Sequence, residues 1–456
     1  MKGKLYHRLP CQFQNAVCSI NGYFLNRRRY GGDFTKRLQD SIYRSEQSID
    51  FIRQYQNERL KLLFLAASFS PFWRSKFLDY GVSFSSKCPL DDLVKLPIIT
   101  KKEVQRNLAI IPPASDFIST YTSNKLISCH TSGTTGTGLV FKASLSAERE
   151  QWATWWRYRH SHNISFNDWC GIFAGRPIVS PNQTKPPYWR LNYPAKQILF
   201  SSYHLNDDTA FSYLTKIRRS GLPWLHGYPS FLVLLASYCQ KYNFDLSDHL
   251  RVVSTGAESL LEHQRQLLSD VFKVPIFDHY GQAEYVANIS QQNNGYLRVD
   301  EDFSVVELIP SDQPNSYKLI GSTLFNIAFP LFRYDTQDLV SINPNNLHDH
   351  SGWRLVDSID GRIEDCLVLC DGTRVGRMDF ILKDFPFIQE AQFVQYRPGH
   401  AKLYYVTNLS NTHDLMNSLL QSVRMRLGDK IQIDFTRVSA IPRINSSKLR
   451  FVLSHL

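Results

Sequence analysis

Between residues 165 and 340 short apolar runs alternate with stretches of helical spacing, and that alternation restricts the fold more than any other feature of the chain. Leu250 to Thr255 and Pro275 to Phe277 read as buried strands, each closing on a polar loop that contains glycine. A helical stretch, Glu262 to Val271, lies between them. Strands that alternate with helices build layered α/β sheets. In such sheets reactive groups gather in loops beyond the strand ends. The 456 residues suffice for about two or three domains, and 43% apolar with 13% aromatic residues supply a sizeable core.

The flanks have a different texture. Leu38, Ile42, Ile49 and Ile52 stand among charges and glutamines over residues 36–66, the pattern of one amphipathic helix. Ser70-Pro71-Phe72-Trp73 ends it, because proline interrupts helical bonding. Leu96-Pro97-Ile98-Ile99-Thr100 is a turn in which Thr100 caps a helix and Glu103 completes a capping box. Residues 144–160 are helical and rich in aromatics, with Trp152, Trp155, Trp156 and Tyr158. After about residue 355, Asp360-Gly361 and Asp371-Gly372 are hairpin signals around Cys366 to Cys370. A strand from Ala401 to Thr407, a helix over 412–427 and a strand from Ile431 to Val438 complete a compact α+β module.

Eight cysteines are scattered without the spacing of a zinc site, so buried reduced thiols are expected. The longest apolar run, Phe231 to Cys239, is too short to span a bilayer. No apolar segment follows the opening Met-Lys-Gly-Lys. A cytoplasmic protein with no integral membrane segment is the expectation. The formal charge is +11, spread along the chain and densest at Arg27-Arg28-Arg29 near Lys36 and Arg37. That suits a solvated face or a weak peripheral anchor to anionic lipid better than a nucleic-acid arm. A basic surface also attracts polyanionic small molecules.

Residues 130–138, His-Thr-Ser-Gly-Thr-Thr-Gly-Thr-Gly, pack three glycines and five hydroxyl residues together. Glycines let backbone turn tightly and approach a ligand closely. Successive N–H groups with the Ser132, Thr134 and Thr135 hydroxyls can cradle phosphate oxygens. No Gly-Lys-Ser/Thr closes the run, so it is not a Walker loop and its cation must come from elsewhere. Five further segments carry suitable chemistry: Ser254 to Glu258, Asp278 to Glu284, Arg333 to Asp338, Asp360-Gly361-Arg362, and Pro442 to Lys448. Tyr280 offers a face for adenine, and the backbone at Gly256-Ala257 can come close to that base. Glu284 is a hard oxygen ligand suited to Mg²⁺. Asp338 can accept from ribose hydroxyls, and Lys448 is a mobile charge able to follow a transferring phosphoryl group.

In this order the segments resemble those of adenylate-forming acyl ligases, specifically the branch of phenylacetate–coenzyme A ligase and its capsule-polysaccharide-cluster relatives. The resemblance starts at Pro71-Phe72-Trp73 and Leu96 to Lys101, runs through Thr131–Gly136, Gly256-Ala257-Glu258, Tyr280 to Glu284, Arg333 to Asp338 and Gly361-Arg362, and closes on Lys448. It implies an α/β fold: a large N-terminal adenylate-forming domain over 1–357, with mixed sheets, flanking helices and a helical segment at about 36–110, and a small mobile α+β lid over 358–456. It implies that Thr131, Ser132, Gly133, Thr134, Thr135 and Gly136 hold the departing phosphates of ATP, with Thr135 among the catalytic residues. Gly256, Ala257, Glu258, His279, Tyr280, Gly281, Asp338 and Arg362 would contact the nucleotide. Glu284 would hold Mg²⁺, and Lys448 would bridge carboxylate and α-phosphate before leaving with the lid.

Three departures stand out: Gln337 and Ser447 occupy positions where relatives usually have glycine, and no Pro-Lys follows the last glycine of the loop. The implied reaction joins a carboxylic acid to AMP, then passes the acyl group to an acceptor. That acceptor is a thiol such as coenzyme A, or an amine on a sugar or amino acid in surface-polysaccharide synthesis. A catalytically inactive binding homologue is the remaining alternative. Trp155, Trp156, His226 and Tyr228 are candidates for the acid pocket, with an aromatic acid favoured; His226 to Ser230 resembles the branch's pocket-lining turn. No nucleic-acid partner is expected.

Overall fold

The computed structural model describes residues 6–122, 125–131, 139–174, 178–180, 183–201, 204–312, 314–362, 367–370, 374–375, 385, 388–407, 409, 416–421, 423, 431–442 and 449–456. The chain forms two compact units. The first comprises Met1–Gly22, Phe166–Asp278 and Asp360–Leu456; the second comprises Tyr23–Ser165 and His279–Ile359.

The first unit holds the α/β layering. A six-stranded sheet runs in the order Trp189–Asn192, Gln197–Ser201, Cys170–Ala174, Trp224–Gly227, Val252–Thr255, Ile276–Phe277. Only the first strand is antiparallel to its neighbour; the other pairings are parallel. Crossover helices Ala210–Arg219, Pro229–Lys241 and Glu262–Phe272 supply Leu214, Leu232, Leu235 and Leu268 to a core with Phe173, Phe200 and Val253. Helix Pro229–Lys241 also lies against strand Ile388–Arg397 of a second sheet. That sheet runs Gln432–Arg437, His400–Thr407, Ile388–Arg397, Val452–Ser454. Its central pair is antiparallel and both outer pairings are parallel. Helical residues 416–421 add Leu419 to its core beside Phe393 and Leu403.

The second unit contains helices and antiparallel sheets. Four strands run Leu355–Val356, Leu297–Val299, Asn288–Gln291, His279–Gly281. In another sheet Ser316–Thr323 pairs with Ser304–Pro310 and with Tyr334–Ser341. The helices pack on a core of Phe64, Trp73, Phe77 and Phe332, where Trp73 Nε1 donates to Pro330 O at 2.8 Å. A buried ion network joins the helices to the sheet. Arg157 pairs with Asp300 at 2.6 Å and with Asp302 at 2.8 Å. Arg44 pairs with Asp302 at 2.9 Å and also with Glu150.

The single helix expected over 36–66 is two, Phe34–Ser45 and Ile49–Ser68. Ser48 divides them: its Oγ accepts from Phe51 N at 3.4 Å and starts a new helix. Helix Cys11–Tyr30 has no counterpart in the sequence reading. Thr100 caps Lys101–Arg106, accepting from Glu103 N at 3.2 Å. Cys170 and Cys239 are buried free thiols as expected, but Cys88, the N-cap residue of helix Pro89–Leu93, and Cys370, in a turn, are exposed. Among the described residues no helix is long and apolar enough to cross a membrane.

Candidate functional site

In the first unit, polar side chains collect at the carboxyl ends of parallel strands. His226 Nδ1 lies 2.8 Å from Ser254 Oγ on the neighbouring strand. Thr255 Oγ1 donates to Asp278 Oδ1 at 2.7 Å, tying the ends of the next two strands. The chain leaves Cys170–Ala174 toward one side of the sheet and Trp224–Gly227 toward the other. This reversal creates the crevice where α/β sheets bind ligands. His226, Gly227 and Tyr228 stand at it. Gly227 is required there, since a Cβ would lie 2.6 Å from Phe173 O. Tyr228 is the N-cap residue of helix Pro229–Lys241.

The turn after Val252–Thr255 carries Ala257 at φ +68°, left-handed backbone that side chains rarely adopt. The turn sends Glu258 back toward helix Pro229–Lys241. Its Oε2 accepts from Ser230 N at 3.2 Å, where a carboxylate complements the helix dipole. Its Oε1 accepts from Leu449 N at 2.8 Å. Leu449 is the residue directly after Lys448 in the chain.

In the second unit, Asp338 sits on a β-bulge. Lys318 pairs with Leu339 and Ile320 with Asp335, so Thr336, Gln337 and Asp338 together face Leu319. The surplus residues fit because Gln337 adopts φ +63°. Gln337 N donates to Asp335 Oδ1 at 2.8 Å, and Thr336 Oγ1 donates to Leu319 O at 2.7 Å. The bulge aims Asp338 at strand His279–Gly281. There Asp338 Oδ2 accepts from Tyr280 OH and from Gln282 Nε2, both at 2.7 Å. Burial, and then the adjacent Asp338 carboxylate, raises the Tyr280 pKa well above that of a free phenol, so Tyr280 donates as a neutral phenol. Glu284 is buried, and its Oε1 accepts from Tyr334 OH at 3.3 Å.

The segment before Tyr334 is anchored to the Leu96–Thr100 turn. Ile99 N donates to Arg333 O at 3.0 Å and Asp335 N to Ile99 O at 2.9 Å. Arg333 forks onto Glu307 at 2.8–3.1 Å and also donates to Leu96 O at 2.6 Å. Thr131, at the end of strand Leu126–His130, clasps Leu139 through Thr131 N to Leu139 O at 3.0 Å and Leu139 N to Thr131 Oγ1 at 2.8 Å. This clasp closes the base of the glycine-rich run. Ser132, Gly133, Thr134, Thr135 and Gly136 lie outside the described residues, as do Lys448 and the side chain of Arg362.

Trp155 and Trp156 part company on helix Leu145–Ser161. Trp155 Nε1 donates to Asn288 Oδ1 at 2.9 Å, and its ring meets His279 edge-on at 5.3 Å, beside Gly281. Trp156 is buried against Tyr30, with Arg159 over its ring at 4.9 Å. The second unit thus gathers Tyr280, Asp338, Glu284, His279 and Trp155. The first gathers His226, Tyr228, Gly256, Ala257 and Glu258. Sequence reasoning gave no role to Gln282, Ser254 or Asp278, although two of the quoted motifs contain them. Their signal was position inside a motif, since an isolated Gln or Ser carries no chemical mark.

Residues 367–455 match the CapK C-terminal domain family. Protein CapK of Staphylococcus aureus is 25% identical over 464 residues, covering all of both chains. Phenylacetate–coenzyme A ligase of Pseudomonas putida is 22% identical over 347 residues, covering 71% of this chain and 73% of its own. The crystal structure of 2-hydroxyisobutyryl-CoA ligase in the postadenylation state with 2-HIB-AMP superposes at TM-score 0.67 and 16% identity, over 88% of this chain and 89% of that one. The chain has the fold of the adenylate-forming acyl-CoA ligases. Within that class it is homologous to CapK and to phenylacetate–coenzyme A ligase.

Proposed function

We propose that this protein condenses a carboxylic acid with ATP to an acyl-adenylate, releasing pyrophosphate, and then passes the acyl group to a thiol such as coenzyme A. One observation carries this reading: Asp338 is presented on a bulge and held by Tyr280 and Gln282, the arrangement a ribose-binding carboxylate needs. The names of two relatives support it, one a coenzyme A ligase of phenylacetate and one a CoA ligase holding its acyl-AMP.

In this reading Asp338 accepts from the ribose hydroxyls, and Tyr280 with the Gly256-Ala257 backbone flanks the adenine. Thr131 to Gly136 hold the departing phosphates. Residues 1–357 form the adenylation part and 358–456 a lid that carries Lys448 to the α-phosphate. Carboxylate attack on a phosphate brings anions together, so positive charge and aimed N–H groups must neutralise them. Glu284 fits Mg²⁺, a buried hard oxygen that leaves the remaining positions to phosphate and water. The ion would supply charge neutralisation at the phosphates. Trp155, His226 and Tyr228 are proposed for the acid, while Trp156 is packed as core. The alternative acceptor is an amine on a sugar or amino acid, as the resemblance of the sequence motifs to the capsule-polysaccharide branch implies. We place the protein in the cytoplasm, where ATP and coenzyme A are at hand.

Acid-dependent ATP–pyrophosphate exchange across a panel of aromatic, uronic and amino acids tests the proposal. Exchange with at least one acid is expected. A folded, magnesium-supplied sample that neither exchanges with any acid nor binds ATP overturns it. With the active acid in hand, consumption of coenzyme A or of an amine decides the acceptor.

A further inference from the structure

Helix Cys11–Tyr30 is built inside out. Its inward face is polar: Gln14 Oε1 accepts from Arg190 Nε at 2.6 Å, Asn15 Oδ1 accepts from Leu191 N at 3.0 Å, and Ser19 Oγ donates to Leu191 O at 3.3 Å. Gly22 presses so close to Asn192 that a Cβ would lie 1.9 Å from its Oδ1. The outward face is apolar. Phe13 is 61% exposed, Ile20 58%, Tyr23 52% and Phe24 63%. Phe13, Ala16, Ile20 and Phe24 follow helical spacing, so they form one stripe about 16 Å long. A surface stripe of large apolar side chains marks an interaction site.

The charge around the stripe says what covers it. Residues 1–37 contain eight basic side chains and one acidic, Asp33. The helix itself contains no acidic residue. Glu148 pairs with Arg28 at 2.6 Å and Arg29 at 3.4 Å, and Asp33 pairs with Arg37 at 2.7 Å. Arg8, Arg27 and Lys36 are exposed. Arg27 ends the stripe, one turn beyond Phe24. A second copy of the chain on the same face would set one basic segment against another in an isologous contact. An anionic bilayer meets both features at once, accepting apolar side chains below its headgroups and basic ones among them. We propose that the outer face of helix Cys11–Tyr30 docks this protein on an anionic lipid surface. The proposal does not depend on the acid or acceptor of the reaction.

Sedimentation with vesicles tests it, using phosphatidylcholine mixed with phosphatidylglycerol against phosphatidylcholine alone. The full chain is expected to sediment with the mixed vesicles at low salt, less at high salt, and weakly with the neutral ones. Phe13→Ser, Ile20→Ser and Phe24→Ser are each expected to weaken binding about tenfold. Arg8→Gln and Arg27→Gln are each expected to weaken it roughly fivefold and to flatten its salt dependence. This pair keeps the test open should a serine variant fold poorly. No sedimentation of the wild-type chain with mixed vesicles overturns the proposal. So does equal binding to neutral vesicles. So does a wild-type dimer, seen by light scattering, that Phe24→Ser converts to monomer.

Discussion

A glutamine in left-handed backbone at residue 337 carries local strain for the sake of its neighbour. The bulge needs a positive φ at this place to turn Asp338 onto Tyr280 and Gln282. A side chain at such a φ costs about 1–2 kcal/mol, and glycine gives back roughly 0.5–1 kcal/mol through chain entropy. Gln337→Gly is therefore expected to leave ATP affinity intact and to raise stability by up to about 1.5 kcal/mol in urea unfolding. Gln337→Val, branched at Cβ, is expected to lower both. The opposite case is Asp302, fully buried between Arg44 and Arg157. Both arginines hold its carboxyl below the usual range, outweighing burial, which pushes it up. Asp302→Asn leaves two buried cations undercompensated and is expected to cost about 3–5 kcal/mol, again read by urea unfolding.

Elements were legible in the sequence in proportion to how conventionally they bury themselves. Helix Glu262–Phe272 and strands Val252–Thr255 and His400–Thr407 show apolar faces toward the core, and their spacing gave them away. Helix Cys11–Tyr30 was missed because it buries Gln14 and Gly22 and shows phenylalanines to solvent, which reverses the pattern that periodicity detects. The break at Ser48 was missed because Ile49 and Ile52 sustain an apolar rhythm across it; the cap, not the rhythm, ends the helix. Motif positions led to Tyr280, Glu284 and Asp338, but their partners Gln282 and Tyr334 depend on a strand pairing and a bulge that no local signal encodes. Helix Glu262–Phe272 also carries a pH response. Burial pushes His263 down to about 4. In the unfolded chain it protonates near 6.5. The unfolded state therefore takes up the proton first as pH falls, and stability is lost from about pH 6.5 toward 4. His263→Gln is expected to flatten thermal stability over that window, while values above pH 7 stay parallel to the wild type.

At the scale of the whole molecule, the proposed chemistry requires one lysine to serve one half-reaction and be absent from the next. The carboxyl-terminal sheet is joined within the first unit by helix Pro229–Lys241 against strand Ile388–Arg397 and by the bond from Leu449 N to Glu258. That bond lies one residue from Lys448 along the chain. On the proposed reading, a lid that rotates between half-reactions would break this bond, which would then act as a latch. Lys448→Ala is expected to reduce acid-dependent ATP–pyrophosphate exchange roughly 100- to 1000-fold, the scale of removing one aimed charge from a developing anion. Transfer of acyl from a supplied acyl-adenylate is expected to survive, because the lysine has left by then. Glu258→Ala is expected to reproduce the same asymmetry more weakly, lowering exchange while sparing transfer. Glu258→Gln, which can still accept one N–H, is expected to recover part of the loss. A variant that merely unfolds would lose both half-reactions together. Equal loss in Lys448→Ala, or undiminished exchange, would remove the swinging lysine from the mechanism, whereas an asymmetric loss in Lys448→Ala with none in Glu258→Ala would keep the lysine and discard the latch.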